Sequence, residues 1–114
     1  MKHAANGHKV VSVVICNGNL NADSMIRFKT SLARLLHQKR KHLILDLAKA
    51  RRADFSGVGI LMDRLQKIRA ERGDLKIINM RPSVSKTFQR IGADQVIETF
   101  ASKTDAVRSL GLAL

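Results

Sequence analysis

Apolar runs of strand length alternate with segments of helical periodicity along this chain, and the alternation limits the folds that it can adopt. The strand-like runs lie at residues 10–16, 43–47, 75–80 and 96–100. A helical segment follows each of them, so the order along the chain is β-α-β-α-β-α-β-α. Such alternation is typical of a mixed or mostly parallel sheet covered by its connecting helices. We therefore predict an α/β fold in which a mixed sheet of about four to five strands packs against about four helices.

The first two helices are placed by their periodicity and by the residues at their ends. The first is predicted over 22–37. The second is predicted to start near Ser56, with this serine at the N-cap position. It is predicted to end at Arg72 and Gly73, where the glycine suits a left-handed C-terminal cap.

The last two helices carry clearer start signals. Pro82 suits the first turn of a third helix, which Gly92 would close. Ser102 and Asp105 resemble a capping box that opens a short final helix. The third helix is predicted to turn three apolar side chains inward, namely Val84, Phe88 and Ile91.

The length of 114 residues fits one domain. Residues 1–8 are polar and are expected to form a loose N-terminal tail, which leaves 9–114 as the domain. No apolar run approaches the ~20 residues that cross a bilayer, so we expect a cytoplasmic protein without membrane insertion. We expect the protein to be a monomer or a weak dimer. Cys16 lies in an apolar run and is expected to be a small buried hydrophobe.

The chain is strongly basic, with 21 Lys and Arg against 9 Asp and Glu and a formal net charge of +12. The cations are concentrated between residues 27 and 52, where Asp46 is the single acid. A field of this sign favours anionic partners, and nucleic acid, anionic lipid and an acidic protein surface all stay open. The basic run at 37–42 is typical of a solvated helix end. Direct nucleic-acid binding is not expected, because the chain has no recognisable binding motif and only four aromatic residues, all Phe.

Residue types for catalysis or metal binding do not form a recognisable pattern. We find no nucleophile–base pair and no paired carboxylates in a plausible pocket, so we expect no enzymatic activity. The histidines lack the spacing of a metal site, so no metal or cofactor is expected. These histidines are His3, His8, His37 and His42.

The segment 54–59, Asp-Phe-Ser-Gly-Val-Gly, joins a buried strand to the second helix. Ser56 at this junction can be a structural cap, a phosphorylation site or both, because a helix N-terminus favours a phosphate. Gly57 and Gly59 each cost about 1 kcal/mol relative to alanine in a helix. They either let another molecule approach closely or let this helix pack tightly on the sheet.

Several segments together resemble the STAS domain, and in particular the bacterial anti-sigma factor antagonists. The segment 54–59 resembles the family's Asp-Ser-Ser/Thr-Gly-hydrophobic-Gly motif after its buried strand. Gly-Asn-Leu-Asn at 18–21 resembles its Gly-x-Leu-Asp turn. Asn-Met-Arg-Pro-Ser-Val at 79–84 and Arg-Ile-Gly-Ala-Asp at 90–94 resemble its later motifs. The similarity extends over roughly residues 9 to 110.

The resemblance implies a regulatory cycle centred on Ser56. In antagonists of this class, the serine before the first glycine accepts phosphate from an anti-sigma factor that is also a serine kinase. The unphosphorylated form binds that factor and frees the sigma factor, the phosphorylated form is released, and a phosphatase resets it. The alternative is an accessory or scaffold STAS subunit, in a lipid-transport or stress-signalling complex, in which Ser56 is only a helix cap.

Two positions depart from the family pattern within the expected partner surface. Phe55 replaces the first serine of the motif and is either an exposed anchor or a ring packed under the loop. Asn21 replaces an aspartate, with Asp23 two residues on. Asp54 either fixes the loop through backbone N–H groups or contacts the kinase. The full set of expected partner contacts is Asn21, Asp23, Asp54, Phe55, Gly57, Val58, Gly59 and Ser83.

Overall fold

Alternating strands and helices build one five-stranded sheet in the computed structural model, which describes the backbone of residues 2–6 and 9–110 and the side chains of 10–110. The strands are β1 (Lys2–Asn6), β2 (Lys9–Ile15), β3 (His42–Asp46), β4 (Asp74–Ile78) and β5 (Thr99–Phe100). The helices are α1 (Ala22–His37), α2 (Phe55–Ala70), α3 (Pro82–Ile91) and α4 (Lys103–Ser109), with a short 3-10 turn at Ala93–Gln95.

The strands lie in the order β1-β2-β3-β4-β5. β1 runs antiparallel to β2, and the other neighbours are parallel. The predicted α/β fold with a mixed sheet is thus confirmed. The expected loose tail is wrong for Lys2–Asn6, which pair with β2 as an edge strand. Residues 1, 7 and 8 lie outside the described part of the chain.

The sheet is buried on both faces, by unequal numbers of helices. Helices α1, α2 and α3 pack on one face, over the main core that includes Val14 and Leu45. Helix α4 covers the other face, where Val107 packs with Ile44 and Ile78. The alternation of inward residues along β2 and β3 therefore serves two separate cores.

The end of α2 and the orientation of one side chain of α3 differ from prediction. After α2, the left-handed residue is Arg72, with φ of 64°, and not Gly73. A Cβ on Gly73 would lie 2.3 Å from the Lys41 carbonyl oxygen, so this glycine is required by close packing. α3 ends at the left-handed Gly92 as predicted, but Ile91 is 39% exposed and does not face inward.

Lys76 is a buried charge between two carboxylates. Its ammonium lies 3.0 Å from Asp74 Oδ2 and also contacts Glu98 Oε1. Burial opposes the charge on Lys76, but the hydrogen bonds that its ammonium donates to Glu98 and Asp74 outweigh burial and raise its pKa. Burial likewise opposes the charge on Asp74, yet the hydrogen bonds from Lys76 and the Leu75 N–H lower its pKa.

The Lys76 cluster predicts a pH-dependent stability difference. Its stabilisation is present above the ordinary Asp74 pKa of 3.8 and is lost as pH falls through the lowered value. It is also present below the ordinary Lys76 pKa of 10.5 and is lost as pH rises through the raised value. We therefore expect the difference in the free energy of unfolding between wild type and Lys76→Met, measured in urea, to depend on pH. It should shift in favour of the variant as pH falls through the lowered pKa of Asp74 and as pH rises through the raised pKa of Lys76. A difference as constant as that for the exposed control Lys86→Met would contradict this account.

Candidate functional site

Three helices begin at the edge of the sheet where the parallel strands end. Asn21, Asp54 and Arg81 are the N-cap residues of α1, α2 and α3. The connecting loops, 16–21, 47–54 and 79–81, therefore meet at this edge, where α/β proteins commonly place their binding sites. The segment 54–59 lies at its centre.

Asp54, and not Ser56, caps helix α2. Asp54 has extended backbone angles, and its Oδ1 accepts a 2.7 Å hydrogen bond from the Gly57 N–H. The interpretation of Asp54 as a residue that fixes the loop is confirmed, and the placement of Ser56 at the N-cap is wrong. Helix α2 starts at Phe55, so Ser56 is its second residue. Its side chain is exposed and makes no hydrogen bond to the described part of the chain.

The assignment of Asp54 as the cap predicts different effects of alanine at Asp54 and at Ser56. Asp54→Ala should lower the free energy of unfolding by about 1 kcal/mol, because the Gly57 N–H loses its acceptor. Ser56→Ala should change it by less than about 0.5 kcal/mol, because the hydroxyl holds no helix N–H. Thermal or urea unfolding of the two variants tests the assignment. Equal destabilisation would contradict it.

The two glycines of the segment have different surroundings. A Cβ on Gly57 would lie 2.6 Å from the Leu20 carbonyl oxygen and 2.7 Å from Asn21 Cα. Gly57 is therefore a packing glycine that seats α2 against the turn before α1, and the idea that it leaves clearance for a partner is wrong. A Cβ on Gly59 would meet nothing within 4 Å. Gly59 is exposed and leaves the outer surface of α2 open one turn after Phe55.

The two apolar side chains of the segment, Phe55 and Val58, differ in their exposure. Phe55 is 65% exposed, so its ring is not packed under the loop. Val58 is fully buried in the main core, so its side chain cannot contact a partner and that part of the expected surface is wrong. The first two turns of α2 therefore expose the Phe55 ring, the Ser56 hydroxyl and the backbone at Gly59 to solvent.

The start of α1 lies beside the first turns of α2, because Gly57 packs closely against Leu20 and Asn21. Asn21 forms a capping box, in which its Oδ1 accepts from the Ser24 N–H at 3.0 Å and its own N–H donates to Ser24 Oγ at 3.1 Å. Asparagine therefore caps α1, since it is among the side chains favoured at an N-cap. Asp23 is exposed in the first turn of α1. The family pattern has an aspartate where this chain has Asn21, and Asp23 is the nearest acidic residue in the sequence.

The loop before Asp54 is held on both sides. Asn19 Oδ1 accepts hydrogen bonds of 3.1 Å from the backbone N–H groups of Arg51 and Arg52. On the α3 side, the hydroxyls of Ser83 and Thr87 donate to the carbonyls of Arg51 and Ala53. Ser83 therefore has a structural bond in this loop. Asn19 and Thr87 were not singled out from the sequence, although an asparagine beside glycine commonly bonds nearby backbone groups.

A reactive thiol, a metal site and a membrane span find no support in the described residues. Cys16 is buried and its Sγ donates to the Gly18 carbonyl at 3.5 Å. Burial raises the pKa of this thiol, which therefore stays protonated at neutral pH, as the expected buried hydrophobe would. Among residues 10–110, no group of histidine, cysteine and acidic side chains is arranged to hold a metal ion. None of the described helices has both the length and the apolar character to cross a membrane.

Comparison with known proteins gives one consistent family. The family model for the STAS domain matches residues 2–106. An anti-sigma F factor antagonist of Paenibacillus polymyxa is 22% identical over 105 residues, which cover 90% of this chain and 89% of that protein.

Solved structures agree in fold. A crystal structure of a candidate anti-sigma factor antagonist from Thermotoga maritima superposes with a TM-score of 0.81 at 15% identity, covering 96% of this chain and 93% of that one. The phosphorylated form of the Bacillus cell fate determinant SpoIIAA superposes with a TM-score of 0.65 at 20% identity, covering 96% and 97%.

Proposed function

Because this chain belongs to the STAS domain family, we propose that it is an anti-sigma factor antagonist that is switched off by phosphorylation of Ser56. The unphosphorylated form binds an anti-sigma factor that is also a serine kinase, and the sigma factor is released. Phosphorylation ends this binding, and a phosphatase restores it. We propose that the protein acts in the cytoplasm by binding alone, without a cofactor or a reaction of its own.

One observation carries the proposal: the Ser56 hydroxyl is exposed at the start of α2 and has no structural duty there. Asp54 already caps the helix, so a kinase can modify Ser56 without removing a bond that holds the fold. This also weakens the scaffold alternative, which gives Ser56 the role of a cap.

The physical effect of the phosphate is local. A phosphoryl group adds about −1.5 to −2 charge at neutral pH. The N-terminus of α2 tolerates this charge, because the helix dipole and its unpaired N–H groups favour an anion. The fold therefore needs no rearrangement, and binding is lost through the bulk and charge added at the contact surface.

We propose that the partner surface comprises Phe55, Ser56 and Gly59 on α2, with Asn21 and Asp23 beside them on α1. Phe55 is the anchor, since an exposed aromatic ring at the centre of a contact commonly supplies much of its free energy. Asp54, Gly57 and Ser83 act indirectly, because their bonds and packing hold α2 and the preceding loop in place.

The test is phosphorylation with the cognate kinase and ATP, followed by binding assays. We expect one phosphate on wild type, none on Ser56→Ala, and loss of anti-sigma factor binding by Ser56→Asp. Ser109→Asp is the matched control, because it adds the same charge at an exposed serine of α4. Phosphate elsewhere than Ser56, with binding unaffected by Ser56→Asp, would sink the switch.

A further inference from the structure

A second charged surface lies at the opposite end of the molecule from Ser56. Helices α1 and α2 both end there, and their last turns and following loops carry seven cations. We call this surface the basic pole; it consists of Arg34, Lys39, Arg40, Lys41, Lys67, Arg69 and Arg72.

The basic pole has few acids to neutralise it. The described acids at this end are Glu71, Asp74, Asp94 and Glu98, of which Glu98 is already paired with Lys76. Asp74 is already paired with Lys76 at 3.0 Å and with Arg69 at 3.3 Å. Arg69 is the one cation of the pole that forms an ion pair within the described residues. A net positive field therefore faces solvent at this end.

The two loops of the pole are hydrogen-bonded to each other. The Asp74 N–H donates to the Lys41 carbonyl at 2.9 Å, and Lys41 Nζ donates to the Glu71 carbonyl at 3.1 Å. Gly73 allows this contact, because any side chain there would collide with Lys41. The backbone segments that carry the cations of both loops are thus bonded to each other.

Two of these cations occupy backbone conformations that disfavour them. Lys39 and Arg72 have φ of 61° and 64°, in the left-handed region where glycine and asparagine are favoured. Glycine would satisfy the local geometry with less strain, yet the chain places a long cation at each position. The helix dipoles favour the three cations in the last turns of α1 and α2, Arg34, Lys67 and Arg69, but not the four in the loops that follow. The excess indicates an anionic partner outside the chain.

Apolar side chains accompany the cations. Val96 is 48% exposed, and its carbonyl accepts a 2.8 Å hydrogen bond from Arg69 Nη2. Val10, 37% exposed, lies near the start of β2 at the same end. Cations beside exposed aliphatic side chains are typical of proteins that rest on an anionic membrane surface.

We propose that the basic pole docks this protein peripherally on an anionic lipid bilayer. Nucleic acid is less well supported, because the pole offers loops and helix C-termini and no element shaped to enter a groove. It also lacks a stacking ring in the described residues: Phe28 and Phe88 are buried, Phe100 packs half-buried against the core under α4, and Phe55 lies at the other end. In the docked protein Ser56 points away from the bilayer, about 20 Å along α2, and stays accessible to a kinase.

The experiment is co-sedimentation of the full chain with phosphatidylcholine vesicles that contain about 30% phosphatidylglycerol, at about 0.1 M salt. We expect binding to these vesicles and not to pure phosphatidylcholine. Lys39→Gly/Arg72→Gly should lower the partition coefficient by about tenfold or more, since each cation near such a surface contributes about fivefold. Its stability to urea should not fall, because glycine relieves both left-handed positions.

The matched control is Lys103→Gln/Arg108→Gln, which removes two charges from α4 on the other face of the sheet. It should leave vesicle binding nearly unchanged. Equal binding to both vesicle types, or an equal loss in the control, would overturn the proposal. So would binding to a DNA duplex of about 20 base pairs that persists at a salt concentration that abolishes vesicle binding. These measurements do not involve phosphorylation, so their failure leaves the Ser56 switch intact and the reverse also holds.

Discussion

Replacing Gly57 with alanine is expected to lower the free energy of unfolding by about 3 kcal/mol. The added methyl would lie 2.6 Å from the Leu20 carbonyl oxygen. That oxygen cannot move cheaply, because it accepts a 3.1 Å hydrogen bond from the Asp54 N–H, and Leu20 also forms an isolated parallel bridge with Ala53. Urea unfolding followed by circular dichroism measures the loss directly.

Gly59→Ala is the matched control, two residues further along the same helix. Its new methyl would meet nothing within 4 Å, and alanine is the better helix former. We expect it to stabilise the protein by about 0.5 to 1 kcal/mol. If the two variants unfolded alike, the packing role assigned to Gly57 would be wrong.

The second large effect is expected on binding. Phe55→Ala should weaken binding to the anti-sigma factor by about 30-fold or more, which corresponds to about 2 kcal/mol for an aromatic anchor. Its stability should change little, because the ring is 65% exposed and contributes little to the core. Isothermal titration calorimetry with the purified factor measures the first quantity, and urea unfolding measures the second.

Val96→Ala is the matched control for Phe55→Ala. Val96 is also an exposed apolar residue, at 48%, and it lies near the other end of the molecule. Affinity for the anti-sigma factor should stay within about twofold of wild type. Similar losses in both variants, or none in Phe55→Ala, would remove Phe55 from the partner surface.

The alternation of apolar runs was sufficient to predict the α/β fold, because each buried strand and each helical stripe leaves its own period in the sequence. The predicted bounds of α1, residues 22–37, coincide with Ala22–His37. β1 escaped prediction, because Lys2–Asn6 lack an apolar run. Its backbone is ordered by the ladder to β2, which is a tertiary contact that local sequence does not encode.

The sequence located the junction between β3 and α2 correctly, but not the details of its structure. Asp54 and Ser56 are both good capping residues, and periodicity does not fix a helix start to within two residues. Gly57 and Gly59 look alike in sequence, and only the contact with Leu20 separates them. The exposure of Phe55 depends on the direction in which α2 leaves the loop, which also follows from that contact.

The loop before α2 is held mainly by backbone groups, and this leaves its side chains open to change. Asn19 binds the N–H groups of Arg51 and Arg52, and Ser83 binds the Arg51 carbonyl, so neither arginine side chain takes part. Substitutions at both arginines and at Phe55 can therefore accumulate without loss of the fold. After duplication of the gene, one copy can therefore acquire a new partner through substitutions at these positions while it keeps the fold.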